Sequence, residues 1–90
     1  MVAKINIPPF LKNLSHGVTS VDADGSTVGE CLNDLIRVFP SFKERLLDRD
    51  GKLVRSVEIY VNRESTYPEE LSKPVKDGDE LHLVLVLAGG

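Results

Sequence analysis

Cysteine is almost missing from this sequence, in which Cys31 is the single example among 90 residues. One thiol excludes an internal disulfide and any cluster that needs several protein thiolates. Long apolar runs are missing too, since no stretch approaches the roughly 20 apolar residues of a membrane-spanning helix. The opening residues also lack the charged-then-apolar layout of a signal peptide. We therefore expect a cytoplasmic protein with no membrane partner.

An excess of positive charge is also missing. Lys and Arg number 11 against 14 Asp and Glu, which gives a formal net charge of -3 at pH 7. The basic residues are scattered along the chain, whereas proteins that bind nucleic acids or anionic surfaces do so through clustered Lys and Arg. A nucleic acid is therefore not an expected partner.

The arrangements of side chains that are typical of enzymes and metal sites are scarce. His16 and His82 are isolated from each other and from the cysteine, so no metal site is expected. The acidic pairs within residues 22–24 and 48–50 lack the third ligand, the glycine and the distant Glu of a calcium loop. No catalytic triad and no phosphate-binding glycine loop can be assembled. We expect a protein that is not itself an enzyme and that binds no metal or cofactor.

Two strands are predicted near the start of the chain. Residues 2–7 alternate apolar and polar side chains, as a half-buried strand does, and two prolines end it. The inward side chains of this strand are Ala3, Ile5 and Ile7. A loop over residues 11–17 then leads to a short second strand around residues 18–21, and residues 22–25 turn the chain.

A capping signature marks the start of one main helix. Thr27 followed three residues later by Glu30 is typical of a capping box with Thr27 as the N-cap. Apolar residues then recur at helical spacing until Pro40 stops the helix, and residues 41–47 add a short second helical turn. The recurring residues are Val28, Leu32, Leu35, Ile36 and Phe39. Because free cysteine commonly behaves as a small hydrophobe, we expect Cys31 in this helix to be buried.

Two further strands are predicted in the second half. The first, over residues 57–62, alternates inward and outward side chains. Its inward residues are Val57, Ile59 and Val61, and its outward residues are Glu58 and Tyr60. A polar connection over residues 62–76 and a turn at residues 77–79 lead into a last strand over residues 80–87. The leucines of that strand share one parity and should face the helix. They are Leu81, Leu83, Leu85 and Leu87.

The outward face of the last strand changes from polar to apolar along its length. Glu80 and His82 share the solvent-facing parity, but Val84 and Val86 share it too. Together with the outward Tyr60 of the neighbouring strand, these valines would form an exposed apolar patch, and such patches usually mark a partner site. We therefore predict that Tyr60, Val84 and Val86 contact a partner.

The predicted elements define a fold class. Their order is strand, strand, helix, connection, strand, strand, with no internal repeat. One amphipathic helix laid across one face of a mixed sheet predicts an α+β roll of the β-grasp kind with four to five strands. We assign residues 1–87 to this domain and residues 88–90 to a flexible Ala-Gly-Gly tail.

The two glycines at the end are unusual after a hydrophobic strand, because chain ends usually fray into polar sequence. Glycine lacks a Cβ and allows a close approach of the backbone to another molecule. Three or four extended residues reach about 10–14 Å, enough to enter a cleft while the domain stays outside. A C-terminal carboxylate is ionised at neutral pH and is an available oxygen nucleophile.

Taken with this ending, the chain resembles the ubiquitin-like sulfur carriers along nearly its whole length. That family includes the small subunit of molybdopterin synthase, the thiamine-pathway carrier and the cysteine-biosynthesis carrier. The resemblance rests on Asp77-Gly78-Asp79-Glu80 before the last strand and on Ala88-Gly89-Gly90. The segments that most resemble the cysteine-pathway branch are Thr27-Val28-Gly29, Glu44-Arg45-Leu46-Leu47-Asp48 and Ile59-Tyr60-Val61-Asn62. The prolines that often precede the ending of molybdopterin synthase subunits are missing from residues 84–87.

The resemblance implies a function. In the family, a partner enzyme uses ATP to adenylylate the terminal glycine, and a sulfur donor converts the acyl-adenylate to a thiocarboxylate. It implies that Gly90 carries the sulfur, that Gly89 accompanies it, and that Ala88 joins the partner-contacting residues. The sulfur then passes to a metabolite, with cysteine as the first pathway and molybdopterin as the second.

The same resemblance implies the partners. They are an ATP-dependent adenylylating enzyme and a sulfur-accepting synthase. ATP and the sulfur donor are used by the partner enzyme, while the carrier itself binds no cofactor and is a monomer when unbound.

Two other functions remain open from the sequence. The chain could be a protein modifier that is conjugated through Gly90 to lysines of target proteins, or an obligate non-catalytic subunit of a synthase such as molybdopterin synthase. Ubiquitin itself carries arginines before its terminal glycines, whereas this tail is apolar. That difference favours insertion of the tail into a channel of a partner.

Overall fold

A computed structural model describes residues 1–86, which form a five-stranded mixed sheet with helices packed against it. The strands are β1 (Val2–Asn6), β2 (Ser20–Asp24), β3 (Val57–Val61), β4 (Glu64–Ser65) and β5 (Glu80–Leu85). The helices are α1 (Val28–Val38) and α2 (Phe42–Leu46), with 3₁₀ helices at Pro9–Ser15 and Glu70–Ser72. The predictions for Leu87, Ala88, Gly89 and Gly90 lie outside the described residues.

The sheet has the strand order β2-β1-β5-β3-β4, which places β5 at its centre. β5 runs parallel to β1, with Leu81 opposite Ile5, and antiparallel to β3, with Leu83 opposite Ile59. A parallel pair cannot be joined by a tight turn, and the long connection between β1 and β5 contains α1. This arrangement confirms the predicted β-grasp class and its mixed sheet.

The core lies between α1 and one face of the sheet. The alternation predicted for β1 and β3 is confirmed, because their inward residues are all buried. The buried residues of the sheet include Ala3, Ile5, Val57, Ile59, Val61, Leu81 and Leu83, and those of α1 are Val28, Cys31, Leu32 and Leu35. Cys31 is fully buried, as predicted, and burial first, then the nearby Glu30, raises the pKa of its thiol. Its thiolate, the nucleophilic form, is therefore scarce at neutral pH.

Only one of the two hydrogen bonds of the predicted capping box forms at the start of α1. The hydroxyl of Thr27 accepts a hydrogen bond from the Glu30 N–H at 3.2 Å, which confirms Thr27 as the N-cap. The Glu30 carboxylate, however, accepts from the N–H and the hydroxyl of Ser26, at 2.8 and 2.9 Å. Ser26 offers two donors at one residue, and its two bonds lower the pKa of Glu30.

Two predictions for the first half of the chain are wrong. Residues predicted to form a loop belong mostly to the 3₁₀ helix Pro9–Ser15, which begins at a proline and buries Leu11. The second strand occupies Ser20–Asp24 rather than residues 18–21, so the aspartates predicted to turn the chain continue the strand. The reason is the register with β1, which places Ala23 in the core opposite Ala3.

The second half also departs from the prediction. The polar connection after β3 contains the short strand β4 and the 3₁₀ helix Glu70–Ser72. The last strand ends at Leu85 instead of residue 87. Within residues 1–86, none of the helices has the length and apolar character needed to cross a membrane.

Candidate functional site

The outer face of the sheet carries the side chains that were predicted to contact a partner. Across the β3–β5 ladder, Tyr60 lies opposite His82 and Val84 lies opposite Glu58. Tyr60 and His82 are half-buried among their neighbours, whereas Val84 is exposed. The strand parity therefore places Tyr60 and Val84 on one surface, as predicted, and their contact with a partner stays a prediction.

Val86 follows β5 and remains tied to the sheet. Its N–H donates to the Ser56 carbonyl at 2.8 Å, which continues the antiparallel ladder past the end of the strand. Its side chain is exposed. The outward parity at the carboxyl end of β5 therefore carries two exposed valines, Val84 and Val86.

The prediction that Leu85 faces the core is wrong. Leu83 is 3% exposed, whereas Leu85, two residues later on the same parity, is 45% exposed. β1 pairs with β5 only as far as Asn6 opposite His82, and the prolines that follow have no N–H with which to continue the ladder. Beyond that point, β3 is the only strand paired with β5 in the described part of the chain.

The loss of a neighbouring strand exposes both faces of β5 at its end. Val84, Leu85 and Val86 are three consecutive exposed apolar residues, and we refer to them as the apolar end of β5. An exposed patch of this kind usually marks a site of contact with another molecule. The sequence contained a signal for it, because Pro8-Pro9 limits the length of β1 while the last strand runs on.

A groove of about 610 Å³ lies beside the apolar end of β5. Its lining includes the apolar side chains of Val57, Tyr67 and Val86, together with Arg55, Glu58 and Glu70. The Ser65 hydroxyl donates to the Glu58 carboxylate, which orients one acidic wall of the groove. Sequence reasoning did not find Arg55 or Tyr67, although an exposed tyrosine in a polar connection is a recognisable signal.

The turn before β5 holds the start of that strand in place. Asp79 accepts from the Lys76 N–H at 2.8 Å and from the Asn62 amide at 3.1 Å, and these two bonds lower its pKa in that order. The Asn62 side chain also accepts from the Glu80 N–H at 3.0 Å. Gly78 has a φ of +89°, a conformation that favours glycine. The Asp-Gly-Asp-Glu motif therefore positions the strand that leads to the tail.

The reactive side chains of α1 and β5 lie on opposite sides of the sheet. Cys31 projects from α1 into the core on one side of the sheet, whereas His82 lies on the other side. No group of three His, Cys, Asp or Glu side chains within residues 1–86 is placed to hold a metal ion.

The protein is of the ubiquitin-like β-grasp class. Its mixed sheet has β5 at the centre, one main helix lies across the sheet, and the end of β5 is exposed. Residues 6–90 match the ThiS family. The chain belongs to this family of ubiquitin-like sulfur carriers, which confirms the resemblance seen in the sequence.

Similarity to characterised proteins extends over the full length of the chain. The sulfur carrier protein CysO of Mycobacterium tuberculosis is 37% identical over 93 residues, which cover all of both chains. In the crystal structure of the Amycolatopsis orientalis BexX/CysO complex, the similar chain has a TM-score of 0.88 and 36% identity, with 98% of this chain and 99% of that chain covered. The chain is therefore a sulfur carrier, a small carrier protein rather than a catalyst.

A second kind of relative is the small archaeal modifier protein 1 of Haloferax volcanii. It is 34% identical over 71 residues, which cover 78% of each chain. Its crystal structure has a TM-score of 0.84 with 26% identity and covers 100% of both chains. Sulfur carriers and a protein modifier thus share the fold of this chain.

Proposed function

We propose that this sulfur carrier holds its sulfur as a thiocarboxylate on Gly90 and donates it in the biosynthesis of a metabolite, with cysteine as the first pathway. The observation that carries the proposal is the similarity to CysO over the whole of both chains. The apolar end of β5 supports it, because these exposed residues directly precede residues 87–90 in the sequence and offer a surface to a partner.

The proposed loading takes two displacement steps. In the first, a carboxylate oxygen of Gly90 attacks the α-phosphorus of ATP held by an adenylylating partner, and pyrophosphate leaves. In the second, sulfide from a donor attacks the carbonyl carbon of the acyl-adenylate, and AMP leaves. One oxygen of the carboxylate is thereby replaced by sulfur. Glycine at positions 89 and 90 suits this chemistry, because the absence of a Cβ lets the backbone enter a narrow site.

In this proposal, residues of the folded domain bind the partner enzyme. Tyr60, Val84 and Val86 would contact the partner from the outer face of the sheet and Leu85 from the opposite face, with Ala88 further along the chain. Full burial of one valine can contribute about 1.5–3 kcal/mol, and a micromolar complex has about 8 kcal/mol of binding free energy. Val84 and Val86 are 40% and 36% exposed, so these side chains contribute part of that free energy, and other contacts with the adenylylating enzyme or the sulfur-accepting synthase must supply the rest.

The test is sulfur loading followed by mass spectrometry of the intact chain. With its adenylylating enzyme, ATP and a sulfide source, the protein should gain the mass difference between sulfur and oxygen, and fragmentation should place the change at Gly90. A chain that lacks Gly90 and a reaction without ATP are the controls. The proposal fails if the chain without Gly90 loads as well as the intact one, or if the sulfur is found on Cys31.

A second candidate function is protein modification, which the similarity to the small archaeal modifier protein 1 favours. In this case Gly90 would form an amide bond with a lysine of a target protein after adenylylation. Incubation with the adenylylating enzyme, ATP and cell extract should then yield branched peptides that join Gly90 to lysine. Accumulation of the thiocarboxylate without branched peptides would contradict this candidate.

A further inference from the structure

One edge of the sheet offers backbone groups that the fold does not use. β2 is an edge strand whose ladder with β1 includes the bonds from the Ile7 N–H to the Thr19 carbonyl and from the Gly25 N–H to the Met1 carbonyl. Hydrogen-bonded residues alternate along an antiparallel pair. The even-numbered residues of β2 therefore direct their N–H and carbonyl groups away from β1, toward the open side of the sheet.

Helix α1 occupies one end of that open side. The Asp34 carboxylate accepts from the outward N–H of Asp24 at 3.0 Å. Further along the strand, the N–H and carbonyl groups of Ser20 and Asp22 form no hydrogen bond with any other group in residues 1–86. Four backbone groups thus remain available in the geometry that a neighbouring strand would pair with.

The helix face that meets this edge at Asp34 ends in an apolar side chain. Glu30 of α1 contacts Ser26, and Asp34, one turn later, contacts Asp24. Because residues four apart share a helix face, Val38 continues the face of α1 that carries Glu30 and Asp34. Val38 is 49% exposed, and a side chain directed toward the helix from an added strand would cover it.

On the outer face of the sheet, the side chains beside this edge include two aspartates. Asp22 and Asp24 have the outward parity of β2, and both are exposed. Lys4 of β1 lies opposite Asp22 on the side away from the open edge, and the two side chains form no ion pair. Asp34 at the end of the edge is paired with Arg37 at 2.7 Å, and Asp24 with the N-terminal ammonium of Met1 at 3.0 Å. Asp22 has no ion-pair partner within the described residues.

These charges decide what can occupy the edge. A second copy of the chain, paired through its own β2, would bring the aspartates of both strands together, and like charges on facing strands are destabilising. A strand with positive charges beside Asp22 and Asp24 would instead be attracted. We propose that the open edge of β2 binds an extended segment of a partner protein in which apolar and basic side chains alternate, and that this segment adds to the sheet as a further strand.

The proposed edge site is separate from the apolar end of β5. In the strand order, β1 lies between β2 and β5, so the two surfaces are about 10 Å apart at ~4.8 Å per strand. A carrier bound at β2 would keep its tail and the end of β5 available. The edge site would therefore let a second protein hold the carrier while sulfur is loaded or transferred.

The test uses a defined peptide as the probe. A capped peptide of about seven alternating valine and lysine residues spans the strand at ~3.3 Å per residue. In amide NMR spectra of the intact protein, it should shift the signals of Ser20 and Asp22 and slow their hydrogen exchange, with no such change at Tyr60 or Val84. The same peptide with glutamate in place of lysine should not bind. Equal binding of the glutamate peptide, or shifts centred on Tyr60 and Val84, would overturn the proposal.

Methylation of the peptide backbone tests the pairing itself. A residue directly opposite Asp22 in an added antiparallel strand has its side chain on the outer face and its N–H toward β2, so the lysine amides make the contact. N-methyl lysines should therefore abolish binding, whereas N-methyl valines should leave the Ser20 and Asp22 shifts in place. If the two methylated peptides bind as well as the parent, no strand is added and the proposal is wrong.

A pair of charge variants tests the role of Asp22. Asp22→Lys should weaken binding of the lysine peptide by about tenfold. Asp50→Lys makes the same charge change in a distant turn and should leave the affinity within about twofold, since exposed charges more than ~10 Å away are largely screened. Equal losses of affinity in both variants would show that only the net charge of the protein matters, and the proposed site would be wrong. A stable dimer that protects the Ser20 and Asp22 amides would identify a second copy as the occupant and also overturn it.

Discussion

Leu83 and Leu85 share one parity of β5, yet their truncation to alanine should have different effects on stability. Leu83 is 3% exposed and Leu85 is 45% exposed. Loss of a buried leucine side chain costs about 2–5 kcal/mol, because a cavity adds to the lost transfer free energy. Leu85→Ala removes contacts from a side chain that is only about half buried and leaves no enclosed cavity, so its cost should be roughly 1 kcal/mol.

Thermal unfolding converts these values into a measurable contrast. For a domain of this size, 1 kcal/mol corresponds to roughly 4–8 °C in Tm. We expect Leu83→Ala to lower the Tm by roughly 10–30 °C and Leu85→Ala by roughly 4–8 °C. Circular dichroism during heating of the three proteins measures both shifts. Equal shifts for the two variants would show that Leu85 is packed in the fold and would refute the account of the apolar end of β5.

In a sulfur-loading assay, the order of the two effects should be reversed, so that Leu85→Ala is impaired and Leu83→Ala is not. Leu85→Ala should raise the carrier concentration at which loading is half-maximal, and the maximal rate should be kept, because the side chain contributes to docking and not to the reacting carboxylate. Leu83→Ala, assayed below its lowered Tm, should load like the unchanged protein. A normal concentration dependence for Leu85→Ala would remove Leu85 from the docking surface.

Three further variants test other parts of the molecule. Val84→Asp should weaken binding of the adenylylating enzyme without a large change in Tm, and unfolding of this variant would contradict its place on the outer face. Cys31→Ser should keep sulfur loading while it costs about 1–3 kcal/mol of stability, since a hydroxyl replaces a buried thiol; loss of loading in the folded variant would assign Cys31 to the chemistry. The lowered pKa of Asp79 means that its charged form stabilises the fold above the unfolded pKa of about 4, and that this contribution is lost as the pH falls through the folded pKa. The difference in unfolding free energy between the unchanged protein and Asp79→Asn should therefore shrink below about pH 4, and a constant difference would contradict the role of the charge.

The parts of the fold that follow from local periodicity could be predicted from the sequence. β3 was placed with the correct parity because Val57, Ile59 and Val61 alternate with polar residues, and a half-buried strand needs only that pattern. The N-cap at Thr27 was also found, since capping depends on residues within one helical turn. The class of fold followed from the order of such elements.

The parts that were missed depend on where a distant strand begins or ends. Asp22 and Asp24 have the composition of a turn, but pairing with β1 extends the strand through them. Leu85 has the parity of a core residue, but its exposure is decided by the end of β1 near Asn6. Strand preference depends strongly on neighbouring strands, so the alternation within one segment could not settle these positions.

The distance between the apolar end of β5 and the edge of β2 determines whether the two proposed contacts act independently. Sites more than ~7–10 Å apart that share no partner usually have additive effects, within about 0.3–0.5 kcal/mol. β1 separates the two strands, and Leu85 lies where β5 has already lost β1 as a neighbour. The effects of Asp22→Lys and Leu85→Ala on sulfur loading should therefore add when the two changes are combined. A coupling free energy above about 1 kcal/mol in this double-mutant cycle would show that an occupant of the β2 edge also reaches the end of β5, because residues in contact or with a shared partner are the ones that couple.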